Sequence, residues 1–296
     1  MAHSPDRDTP SFPHPALAVG CMRLGSWGAA LNTPGLQAFV EGCLECGLTL
    51  FDHADIYGHY STEQDFGRLL QQQPALRSQL TLISKCGIRM PSPNRPDHAI
   101  KFYDSSPAHL VASVEQSLRN LHTDFLDILL LHRPDLLLDP HALAETFTAL
   151  RQQGKVRAFG LSNFRPSQVQ MLLAVYPDLA FHQVEFSPLQ PAAFLDGTLD
   201  QCQERGLRPM AWSPLAGGKL MEHAKLQAIW PELSQRYDAS PESLAYAWLL
   251  AHPAGIIPVT GTTRLDRIRE AARARSILLT RQDWYRVWSA VQGEVA

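Results

Sequence analysis

Cysteine is scarce in this chain. Five cysteines in 296 residues are too few, and odd in number, for a disulfide framework, which points to a reduced, cytoplasmic setting. Cys43 and Cys46 have Cys-x-x-Cys spacing. They fall late in a helical pattern with no strand opening onto them, so helix packing is the expectation rather than redox chemistry. No apolar run reaches the roughly 18–20 residues of a spanning helix. Residues 1–15 are polar and proline-rich rather than signal-like, and read as a flexible leader. A net charge of −3 supplies no basic footprint for nucleic acid. Metal-ligand spacing of histidine, cysteine and acidic residues is missing. No Gly-x-Gly-x-x-Gly follows the first strand-like run, so nothing supports dinucleotide binding in the Rossmann manner. No obligate protein partner is marked out. Charged residues make up only 19% against 45% hydrophobic, which excludes disorder and leaves an ordinary globular chain able to bury a substantial core.

What is present is an alternation. Strand-like runs at 16–19, 48–51, 80–84, 128–131, 156–161, 180–184, 208–212 and 255–259 are separated by helical patterns. The helix signals are local. Ser106 precedes Pro107 as an N-cap before a first helical residue, and Gly154 and Gly206 stand where helices close. Successive strand–helix units predict an α/β fold closed into a (β/α)8 TIM barrel. It forms a single domain over 16–296, with 281–296 as an extra C-terminal helix over the wall.

Barrels of this type carry reactive groups at the C-terminal ends of their strands. Strand two leads into Asp52 and Tyr57, strand three ends at Lys85, and strand four at His132. Taken singly, each is as readily a turn cap, a structural ion pair or a buried polar group. Taken together, the segments Phe51-Asp52-His53-Ala54-Asp55-Ile56-Tyr57-Gly58, Ile83-Ser84-Lys85, Leu131-His132-Arg133-Pro134 and Gly160-Leu161-Ser162-Asn163-Phe164 resemble, in order, the active site of the aldo-keto reductases. The resemblance runs from about Ala16 to Ala274 and has a bacterial-type cast in Met22-Arg23-Leu24 and the long loop 86–105.

That resemblance implies reduction of an aldehyde or ketone to an alcohol by direct hydride transfer from NADPH, with a small-molecule carbonyl compound as substrate. Tyr57 would be the general acid. A free phenol has a pKa of about 10, and the ammonium of Lys85, held by Asp52, would ease its proton loss. His132 would orient the carbonyl and stabilise developing charge. NADPH/NADP+ would lie across the barrel mouth, with Ser162, Asn163 and Gln183 on the carboxamide and Trp212 stacked on the nicotinamide. Cys21, Met22 and Arg23 would face the cofactor. Ser213, Leu215 and Gly217 lie in a small-residue loop suited to a pyrophosphate. Gly261, Thr262, Thr263 and Arg267, at a helix opening, would take the 2′-phosphate, and Glu270 the adenine side. Ala271 stands where the family usually has Asn. Trp27 and Tyr103 are candidate walls of the substrate pocket, with Phe102 and Trp284 as further contributors, and His53, Asp55 and His59 have no assigned role. An NADP(H)-binding redox sensor or regulatory subunit with slow turnover is the alternative, and a lyase using Lys85 as a Schiff base a more distant one.

Overall fold

The computed structural model describes residues 16–294; the expected leader, 1–15, lies outside the described residues. Eight strands form one closed barrel: β1 Ala18–Gly20, β2 Leu50–Asp52, β3 Thr81–Cys86, β4 Leu126–Leu131, β5 Val156–Ser162, β6 Leu179–Glu185, β7 Arg208–Trp212 and β8 Ile257–Thr260. Each strand neighbours its predecessor in sequence, as right-handed strand–helix–strand crossovers require. The registers are parallel, with Leu50 opposite Thr81, Ile83 opposite Ile128, and Leu126 opposite Val156. All six residues of β4 are buried, which is why 128–131 reads as continuously apolar rather than alternating; the buried Asp127 is met by Arg77 and the Leu82 N–H.

Contacts group the chain into two compact units. Among the described residues the first comprises 21–38 and 49–182, and the second 16–20, 39–48 and 183–294. The first packs Phe147 on Phe159 (centroids 4.2 Å apart, planes at 19°), with Tyr176 against the edges of both. Helix Pro107–Leu121 begins as expected, the Ser106 side chain accepting from the His109 N–H. The expected open loop at 86–105 instead contains a small antiparallel hairpin, Ile88–Arg89 with Phe102–Tyr103.

The second unit centres on stacked tryptophans. Trp248 and Trp284 lie 4.6 Å apart at 9°, each indole N–H donating to the other's carbonyl at 3.0 and 2.9 Å. Trp284 is therefore engaged in packing through both its ring and its N–H. Helix Ala224–Tyr237 was not legible as a pattern, because Pro231 interrupts it. It holds nonetheless by burying Leu226, Trp230 and Leu233. Cys43 is buried on helix Thr33–Glu45, its thiol pushed up to about 12 chiefly by that burial, and all five cysteines are free.

The extra C-terminal helix is real, running Arg281–Gln292. Its anchor is Asp283, fully buried, which accepts from Arg236 (2.8 Å), Tyr237 (2.6 Å) and Thr280 (2.9 Å). Burial alone would raise its pKa; the hydrogen bonds from Tyr237, Arg236, Thr280 and Arg286 outweigh it and bring the carboxyl to about 2. Removing one partner of such a buried group leaves the others uncompensated. Asp283→Ala should therefore lower unfolding free energy by about 3 kcal/mol, read from urea denaturation. An unchanged midpoint would show that the helix docks by apolar contact alone.

Candidate active site

Alternation along β3 sends Ser84 and Lys85 to opposite faces. Ser84 donates to the buried Glu63 at 2.6 Å, outside the strand. Lys85, 1% exposed, turns the other way, and its ammonium donates to Asp52 Oδ2 at 2.7 Å, the His53 carbonyl at 2.9 Å and the Tyr57 hydroxyl at 3.1 Å. Beyond β2 the backbone continues along β3, His53 N–H to Ile83 O at 2.9 Å and Asp55 N–H to Lys85 O at 3.0 Å. This ladder brings Asp52, the His53 carbonyl and Tyr57 to one lysine. His132, just past β4, presents its ring edge-on to Tyr57, centroids 6.1 Å apart at 82°. Its backbone carbonyl accepts from Asn163 Nδ2 at 3.3 Å, and the same amide reaches Ser162 Oγ at 2.7 Å.

Trp27 stands 6.2 Å from Tyr57, and the His59 ring meets it edge-on at 5.3 Å. Tyr103, on the hairpin, packs with Trp27, Tyr57 and Tyr60 on the buried trio Ala54, Ile56 and Ile88. Cys21 is buried, its N–H donating to Asp52 O at 3.0 Å, while Met22 and Arg23 are exposed.

The second unit holds the remaining candidates. Gln183 is buried beside Met210 Sδ at 3.8 Å, and Trp212 is half-buried. Ser213, Leu215 and Gly217 form a tight turn, with Ser213 and Gly217 at φ 52° and 67°. Gly261 is exposed, and Thr262 accepts from the Arg264 N–H at 3.1 Å just before helix Leu265–Arg273. Thr263 is half-buried, and Arg267 is half-exposed, held by a long 3.7 Å pairing with Glu242. Glu270 accepts from the hydroxyls of Ser240 and Ser243, and Ala271 is fully buried, facing the core.

Residues 16–292 match the model of the Aldo/keto reductase family. The chain belongs to the aldo/keto reductase family. Within it, the chain is 45% identical to an uncharacterized oxidoreductase of Bacillus subtilis, YcsN, over 93% of both chains. It is 41% identical to a 6-dehydroglucose reductase of Agrobacterium fabrum over 95% of both. A family member from Klebsiella pneumoniae, solved with NADP and acetate, superposes with a TM-score of 0.79 at 24% identity, over 95% of this chain and 92% of that one, a likeness of fold.

The electrostatics of the cluster around Lys85 follow from its burial. Burial by itself would lower the Lys85 pKa, but Asp52 and Tyr57 together outweigh it and the net shift is upward, so the ammonium is kept. Tyr57 is more informative. Burial raises its phenol and Lys85 pulls it back, yet the net direction is up. The sequence-based expectation had the sign of the lysine's effect right and omitted the larger desolvation. Burial and the nearby charges of Lys85, Arg133 and Lys101 put His132 well below its ordinary value, so at neutral pH it is an uncharged imidazole with one N–H to donate.

Two features were invisible in the pattern. Directly after Tyr57, Gly58, His59 and Tyr60 are all left-handed, at φ 59°, 58° and 69°; each non-glycine residue there costs about 1–2 kcal/mol. Only Gly58 hints at this in sequence. His53, fully buried with its ring edge-on to Phe66 at 4.6 Å, leaves both ring nitrogens without a partner among the described residues.

His53 also makes a stability signature. Its pKa falls from 6.5 to about 3, through burial first and Lys85 second. Between those values the unfolded chain binds a proton that the folded chain does not, so stability is complete above 6.5 and is lost as pH falls toward about 3. The full window is on the order of 5 kcal/mol. Urea midpoints for the wild type should drop steeply over this range and those for His53→Leu less so; parallel slopes would assign the effect to other groups.

Proposed function

We propose that this chain reduces aldehydes or ketones to alcohols with NADPH, using Tyr57 as the proton donor. The observation that carries the reading is the three-way contact of a buried Lys85 ammonium with Asp52, the His53 carbonyl and Tyr57, across from the His132 ring. A bound NADPH supplies the hydride. His132, uncharged, donates one N–H to the substrate carbonyl and holds it toward the Tyr57 hydroxyl. As the oxygen gains charge, Tyr57 passes its proton to it. The phenolate left behind lies 3.1 Å from an ammonium already in place, so its charge is met without reorganisation. Asp52 keeps that ammonium charged and fixed.

The second unit offers what a dinucleotide phosphate needs. The Ser213–Gly217 turn exposes backbone, with nothing within 4 Å of a side chain built at Gly217. Thr262, Thr263 and Arg267 stand at the start of helix Leu265–Arg273, where N–H groups and dipole favour an anion. Arg267 is tied only loosely to Glu242 at 3.7 Å, leaving it free to turn to a 2′-phosphate. Ser162, Asn163, Gln183 and Trp212 would hold the nicotinamide end, and Glu270, tied to Ser240 and Ser243, would frame the adenine side. Trp27 and Tyr103 would wall the substrate. The Klebsiella protein solved with NADP and the 6-dehydroglucose reductase among the relatives support this reading, and the latter puts sugar aldehydes first among candidate substrates.

The test is loss of reduced-nicotinamide absorbance with NADPH and a panel of sugar, aromatic and aliphatic aldehydes. Wild type should turn over, and Tyr57→Phe should lose at least about 100-fold in kcat with NADPH affinity unchanged. Because the Tyr57 pKa is raised, reduction should persist into alkaline solution and decline only above pH 10. Tight NADPH binding without turnover of any aldehyde would instead support a redox sensor. Arg267→Ala should weaken NADPH at least about 10-fold and NADH little; equal losses would show that Arg267 does not contact the 2′-phosphate.

A further inference from the structure

We propose that residues 90–98 form a strap that sets the position of Tyr57 through the left-handed turn 58–60, with Tyr60 and Asn94 as its positioning residues. This rests on the reading of Tyr57 as proton donor.

Three consecutive left-handed residues, two of them with side chains, do not persist unless their surroundings over-determine them. Within the turn, among the described residues, one side-chain hydrogen bond is found, Ser61 Oγ to Gly58 O at 2.7 Å. Trp27 meets the His59 ring edge-on at 5.3 Å, and the other side-chain polar ties come from the strap. Asn94 Nδ2 donates to the His59 carbonyl at 2.8 Å, and Ser92 Oγ reaches the same oxygen at 3.4 Å. The Tyr60 hydroxyl accepts from the Met90 N–H at 2.7 Å and donates to the Met90 carbonyl at 3.3 Å. The Arg95 guanidinium covers the Tyr60 ring at 4.7 Å. Each non-glycine residue of the turn is thus gripped from outside, His59 by its carbonyl and Tyr60 by its hydroxyl and ring face.

Apolar packing of Tyr60 on Ala54, Ile56 and Ile88 supplies only part of this hold. A cavity of about 500 Å³ is lined by Asp55, Tyr60, Asn94, Arg95 and His98, so the strap has open space beside it. Polar contacts fix the turn, and the turn fixes the residue before it. Tyr57 must keep its hydroxyl at 3.1 Å from Lys85, and a misplacement of 1 Å at a reacting group costs on the order of 100-fold in rate.

The test compares Tyr60→Phe, Asn94→Ala and the double variant with wild type in the full chain. The readouts are kcat with the aldehyde panel, NADPH affinity, thermal midpoint, and the resonance of ¹³C-labelled Tyr57 assigned through Tyr57→Phe. Each single variant should lower kcat about 10-fold and shift the Tyr57 resonance, with NADPH affinity and thermal midpoint nearly unchanged. Asn94→Gln, which keeps an amide donor, should recover part of the loss. An unmoved Tyr57 resonance with wild-type kcat overturns the strap, as does a loss of kcat that tracks the thermal midpoint. If wild type turns over no carbonyl compound but the Tyr57 resonance shifts in the variants, the strap stands and the reductase reading falls.

Discussion

A lysine with almost no exposure is the constraint around which the first unit is arranged. An ammonium removed from water carries a desolvation penalty of several kcal/mol, and unless acceptors meet it the group sheds its proton instead. Here three acceptors meet Lys85, one a carboxylate, and its pKa ends above rather than below the ordinary value. Each acceptor must be placed by backbone, which is what the continuation of the β2 chain along β3 achieves. The same burial that makes the ion pair strong also raises the Tyr57 phenol. Lysine and burial pull that phenol in opposite directions, and burial prevails.

Tyr57 pays for its position in backbone strain. It sits between a regular ladder on its N-terminal side and a left-handed turn on its C-terminal side. Strain of this kind is commonly found where geometry must be held rather than merely adopted. Long loops at the C-terminal rim of a barrel are usually discussed as walls that select substrate. The loop after β3 has a second structural consequence here, since its polar groups close on the turn that follows the tyrosine.

The second unit shows a different economy of structure. Its core is aromatic, with Trp248 and Trp284 locked by reciprocal hydrogen bonds, and its terminal helix is pinned by one buried carboxylate. Its candidate phosphate-binding groups, by contrast, are lightly tied: an exposed turn, a helix opening, and an arginine in a long ion pair. A rigid interior under a loosely engaged polar edge suits a surface that must accept a charged ligand.

Several things were determined by the sequence alone. Periodicity located all eight barrel strands, because burial on both faces leaves apolar runs such as 128–131 in β4. Ser106 with Pro107, Gly154 and Gly206 marked helix ends because capping chemistry is local. The order and spacing of Asp52, Tyr57, Lys85 and His132 placed them at strand ends, since alternation and strand length are also local. Tertiary structure decided the rest. Helix Ala224–Tyr237 survives its internal proline through the apolar face it buries, which no local propensity records. Trp284 became a packing residue against the core because of a partner far away in sequence. The net rise in the Tyr57 pKa, the neutrality of His53 and the hold of Asn94 and Tyr60 on the turn depend on desolvation and on contacts between distant segments. These quantities exist only once the chain has excluded water and brought those segments within hydrogen-bond reach.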